Sequence, residues 1–171
     1  MNENSTNTET YNVAIGFSAG QSITTGIVNT IVGGLAGDAL TTGQANVAIG
    51  GEALSNETDS HSSVAIGYQA LATQDASSGT NTYNVAVGRA AGLSVTTGTN
   101  NTIVGGLAGD ALTTGSSNVA IGKEALTTED TGSRNIAIGQ AALRDLNYDG
   151  EAHNVAVGYA AGMTLTTGIY N

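Results

Sequence analysis

The chain has 171 residues, of which 25 are Gly, with no Pro, Cys or Trp and a single Phe. Fourteen acids against four bases leave a net charge of −10, and no basic stripe offers an electrostatic footprint for nucleic acid. Lack of Cys excludes disulfides and thiolate metal sites, and apolar residues that recur at regular intervals exclude disorder.

Residues 1–10 form a polar lead-in with neither a basic nor an apolar segment, so no secretory signal is read there. No apolar run approaches the roughly 18 residues that span a bilayer, and no membrane insertion is expected. From residue 11 to 171 the chain is a repeat domain. Val-Ala-Ile-Gly and close variants occur nine times, preceded by Asn12, Asn29, Asn46, Ser63, Asn84, Asn101, Asn118, Asn135 and Asn154. These position-zero residues are 17 apart, except for steps of 21 after Ser63 and 19 after Asn135. A larger cycle lies on top: residues 29–43 recur identically at 101–115, the first four units are echoed in order by the next four, and the ninth restarts. Asn171 stands where a tenth unit would begin.

Within each unit, positions one and three alternate with period two, which marks a strand. They are Val13 and Ile15, Val47 and Ile49, Val64 and Ile66, Val85 and Val87, Val119 and Ile121, Ile136 and Ile138, and Val155 and Val157. These residues are expected to fill the core. Gly closes the strand in all nine units, at Gly16, Gly33, Gly50, Gly67, Gly88, Gly105, Gly122, Gly139 and Gly158, as a sharp corner requires. Asn at position zero suits the opposite corner, because its side chain bonds local backbone and tolerates left-handed angles. Position seven is Ala throughout, from Ala19 to Ala161, and Thr-Thr-Gly at 24–26, 41–43, 96–98, 113–115 and 166–168 reads as a second strand ending in a turn.

Short β-segments, Gly corners and a fixed period predict an all-β fold, a parallel β-solenoid of nine coils of ~17 residues that need neighbours to bury a core. Position two is Ala in seven units and Ile in two (Ile31, Ile103), and would point away from the Val/Ile face. Small apolar residues on an outward face are expected to pack against other copies of the chain, in a parallel oligomer.

Asn-Val-Ala-Ile-Gly-x-x-Ala, as at Asn12–Ala19, Asn46–Ala53 and Asn118–Ala125, resembles the head repeat of trimeric autotransporter adhesins. It is also similar to repeats in tail-fibre and other appendage proteins of bacteriophages. The resemblance covers residues 11–171 and implies a left-handed parallel β-roll in a tight homotrimer, with the Val/Ile positions inside. The chain departs from the adhesin motif in lacking Ser between Asn and Val and in having a longer coil. It also carries no heptad stalk and no membrane-anchor strands. These last two absences, with the missing secretory signal, favour a phage tail-fibre or virion appendage shaft contributing to host-surface attachment. A bacterial adhesin head and a self-assembling extracellular filament subunit are the alternatives. Either way the expected location is the virion, the extracellular space or the cell surface.

No enzymatic chemistry is expected. The only histidines, His61 and His153, lie in variable stretches, and Ser60-His61-Ser62 reads as a solvated loop. Gly33–Asp38 superficially matches a calcium-binding nonapeptide, but one Gly is out of register and only two coils carry the motif, so it reads as a turn; no metal or cofactor is expected. The threonine rows break in the units starting at Asn46, Ser63 and Asn135, so they read as ordinary β-propensity rather than an ice-binding ladder. The charged stretches 55–62, 72–83, 127–134 and 144–153 read as solubilising loops. Within them Asn147, Tyr148 and Asp149 form a candidate contact for a host-surface glycan or protein.

Overall fold

The computed structural model describes residues 9–76 and 79–171. Each unit contributes one three-residue strand: β1 (Val13–Ile15), β2 (Thr30–Val32), β3 (Val47–Ile49), β4 (Val64–Ile66), β5 (Val85–Val87), β6 (Thr102–Val104), β7 (Val119–Ile121), β8 (Ile136–Ile138) and β9 (Val155–Val157). They pair in chain order as one parallel sheet, position on equivalent position, such as Val13 on Thr30 and Val47 on Val64. The two longer steps leave this register untouched, since Val64 pairs with Val85 and Ile136 with Val155. The fold is an all-β parallel solenoid, about 43 Å long at ~4.8 Å per coil.

The expected core is inside out. Val13, Ile15, Val47, Ile49, Val64, Ile66, Val85, Val87, Val119, Ile121, Ile136, Ile138, Val155 and Val157 stand on the outer side of the sheet, half-buried or exposed. The middle residue of each strand points inward instead, and from β2 to β9 it is buried. The position-two alanines therefore line the solenoid's own interior and are not available to a neighbouring copy.

Close packing explains which residue sits there. The interior is filled from the facing wall by the position-seven alanines, such as Ala36, Ala53 and Ala108, and by Leu40, Leu54, Leu71, Leu112, Leu126, Leu143 and Leu146. Volumes trade across it. Where position two is Ile31 or Ile103, position eight is Gly37 or Gly109; where position eight is Leu54, Leu71, Leu126 or Leu143, position two is Ala. A Cβ on Gly92 would lie 3.0 Å from both Ile103 Cδ1 and Leu71 Cδ2.

Two corners bound each strand and hold it to three residues. The position-four glycines take φ near +130 to +140°, and a Cβ on Gly105 would lie 2.6 Å from the carbonyl of Gly122 in the next coil. The other corner differs from expectation. The left-handed residue is the one before position zero: Tyr11, Val28, Ala45, Ser62, Tyr83, Asn100, Ser117, Arg134, His153 and Tyr170 all have φ between +50 and +65°. A left-handed non-Gly residue costs roughly 1–2 kcal/mol, so these corners persist only because the surrounding ladder over-determines them.

Part of that ladder is the Asn column. From Asn29 to Asn154 the column is fully buried, Ser63 included. Asn29 Oδ1 accepts from Asn46 N at 3.0 Å, and Asn29 Nδ2 donates to Gly43 O at 2.9 Å, stitching coil to coil. The same pair recurs at Asn101, whose Oδ1 accepts from Asn118 N and whose Nδ2 donates to Gly115 O, both at 2.9 Å. The Thr-Thr-Gly segments form no strand. They are a bend in the facing wall, tied to the next coil by bonds such as Thr24 N to Thr41 O at 3.0 Å.

Candidate interaction face

Nine parallel strands in one register turn two residues each to the outside, which gives eighteen outward positions. Sixteen are Val or Ile, the other two are Thr30 and Thr102, and none is charged. At the end coils the face is bare: Val13 is 47% and Ile15 60% exposed, Val155 57% and Val157 66%. In the middle coils each side chain is shaded by its neighbours above and below, so all seven inner strands read half-buried on this side. Tyr11 and Tyr83 flank strands on the N-terminal side, Tyr170 holds the equivalent position beyond β9, and Phe17, Tyr68 and Tyr159 flank strands on the C-terminal side, all exposed. Three of the four bases stand in the same flanking positions, Arg134 before the strand and Arg89 and Lys123 after it. A continuous apolar strip rimmed by aromatic and charged residues is the signature of an interaction surface.

The charged stretches hold more than solubilising groups. Glu57 and Glu129, 72 residues apart at position eleven of coils three and seven, are fully buried where other coils carry Leu40 or Leu112. Glu57 accepts from the backbone N–H of Asp59 (3.2 Å) and Ser60 (2.9 Å) and from Gln74 Nε2 (2.9 Å). Glu129 accepts from Gly132 N (2.7 Å) and Tyr148 N (3.2 Å), and burial pushes its carboxyl above the usual glutamate range. Their alignment at position eleven was the available signal that these glutamates replace core leucines. The carboxylates of Glu57, Asp59 and Asp75 come within 4.8 Å of one another. Protein donors already occupy them, with Thr58 Oγ1 bonding Asp75 at 3.0 Å beside the three donors on Glu57.

The candidate contact loop is only partly free. Asn147 and Asp149 are exposed, and Asp149 accepts from Thr131 Oγ1 at 2.7 Å. Tyr148, by contrast, is half-buried and packs against the hydrophobic core. Nearby, Arg144 holds the carboxyl of Asp145 below the usual aspartate range through a hydrogen bond of 2.7 Å. His61 Nδ1 accepts from Gln44 N at 3.0 Å, and His153 stacks on Tyr170 with ring centroids 5.1 Å apart. Among the described residues no helix is long and apolar enough to cross a membrane.

No family model, curated protein or solved structure matches the chain.

Proposed function

We propose that this chain is a structural fibre module whose copies pack in parallel through the Val/Ile face, three around a common axis. The observation that carries this reading is the uncharged strip of sixteen aliphatic side chains along the full length of the sheet. Each coil of a like-pitched neighbour meets the same residues, so a match made at one level is repeated at all nine. A partner of any other pitch loses register within a few coils. Charge points the same way: copies carrying −10 each repel across their other surfaces and approach at least cost where neither presents a charge. Three-fold packing and a virion appendage shaft serving host-surface attachment are the parts of the reading that the repeat resemblance supports.

Absolute mass by light scattering coupled to size exclusion tests it. The expected mass is about three times the 16.9 kDa chain. Val85→Asp with Val87→Asp, on the central strand, should reduce the mass to one chain while the β-sheet circular dichroism is kept. A wild-type monomer would overturn the reading.

A further inference from the structure

The Val/Ile face is interrupted at two places only, Thr30 on β2 and Thr102 on β6, each at the first strand position where the other seven strands carry Val or Ile. Both are half-buried. Neither hydroxyl finds a protein partner among the described residues, although Thr41 and Thr113 of the same two coils donate to carbonyls of the following coil at 3.0 and 2.9 Å. On an open sheet such hydroxyls are solvated. Under a second aliphatic face they would lose their water and be buried without a partner, which is unfavourable.

We propose that Thr30 and Thr102 set the axial register between copies, by hydrogen-bonding their own counterparts. This inference rests on the reading of the face as the contact between copies. Arithmetic along the coils decides the arrangement. Parallel copies in register bring Thr30 level with Thr30 and Thr102 level with Thr102, so both hydroxyl layers close on themselves. A shift of four coils matches Thr30 with Thr102 once, leaves the other two hydroxyls bare and uncovers four strands of each copy. Antiparallel copies in full overlap set coil two against Ile136 and coil six against Val64, and no hydroxyl is matched. An antiparallel stagger that pairs coil two with coil six leaves β8 and β9 uncovered. One polar layer within an apolar contact specifies register in this way in coiled coils, at some cost in stability.

Gly34 and Gly106 follow β2 and β6 on the same flank, and a Cβ at either meets nothing within 4 Å. With no native Cys, Gly34→Cys and Gly106→Cys each accept one nitroxide per chain. Pulsed electron resonance on the oligomer should give one short distance, the same at both sites. In mixed oligomers of the two labelled chains the distance should lengthen by an axial offset of about 19 Å, four coils at ~4.8 Å. Thr30→Val with Thr102→Val, which copies the residue used in most other coils, should keep the mass and add distances from staggered copies. A short mixed-label distance with both threonines present, or a single in-register distance that survives the valine pair, would overturn the register inference and leave the face as an interface. A monomeric mass would overturn the interface itself.

Discussion

Coils three and four and their echoes, coils seven and eight, solve one problem in two ways. Each pair buries a glutamate in a column of aliphatic residues, Glu57 in the first and Glu129 in the second. In the first pair the next coil supplies Gln74, whose Nε2 donates to Glu57 (2.9 Å) and to Ser63 Oγ (2.7 Å) and whose Oε1 accepts from Asn84 Nδ2 at 2.8 Å. Gln74 thus bridges the point where Ser63 interrupts the Asn column. In the second pair the equivalent residue is Leu146, and Asn135 keeps the column intact. Without a side-chain donor, Glu129 relies on backbone N–H groups, and burial raises its carboxyl above the usual glutamate range. Across the two-residue insertion no carbonyl takes the role that Gly132 O plays for Asn118, and Asn135 Nδ2 is left buried with no partner among the described residues. A repeat keeps its strand register under insertion, and the polar interior absorbs the irregularity.

The largest test of this contrast is Gln74→Leu, which gives the first pair the residue of the second. It removes one donor each from Glu57 and Ser63 Oγ and the acceptor of one Asn84 N–H, all buried, so a loss of about 3–5 kcal/mol is expected in chemical denaturation. A loss under about 1 kcal/mol would show that water replaces the glutamine without cost. Next in size is the difference between two members of the Asn column. Asn118 both accepts from Asn135 N (2.9 Å) and donates to Gly132 O (2.8 Å), whereas Asn135 only accepts from Asn154 N, at 3.2 Å. Asn118→Ala should cost about 2–3 kcal/mol and Asn135→Ala about 1 kcal/mol; equal losses would remove the distinction.

The smallest effect is on pH dependence. A carboxyl whose folded pKa is raised binds its proton more tightly folded than unfolded, so stability falls as pH rises through the window above the ordinary glutamate range. Acidification from pH 7 should therefore stabilise the wild type relative to Glu129→Gln, in which that slope is absent. Asp145, lowered by Arg144, works in the opposite sense and is common to both chains, so it cancels. Parallel denaturation profiles from pH 7 down to pH 4 would show that Glu129 is not the group responsible.

Much of the fold is legible in the residues. Period-two alternation places every strand, the invariant Gly places one corner, and the spacing of position-zero residues identifies the coil. The assignment of inside and outside is not legible from alternation alone, because a period of two separates two faces without saying which is buried. A signal was present nonetheless. Ile31 and Ile103 occur with Gly37 and Gly109, while Leu54, Leu71, Leu126 and Leu143 occur with Ala, and volumes trade in this way only between side chains that share one interior. Thr-Thr-Gly was misread as a strand because its threonines have β-propensity, yet their bonds run from turns to the following coil.

By itself, then, the sequence determined the repeat, the strand register and the set of residues that share each face, since all three follow from local spacing and backbone preference. Only the tertiary structure decided which face turns inward. That choice depends on the direction in which the chain curls at its corners. The curl is produced by left-handed backbone at Tyr11, Val28, Leu35, Glu52 and their equivalents. These residue types ordinarily avoid that region, and here they are held in it by the ladder of hydrogen bonds from coil to coil.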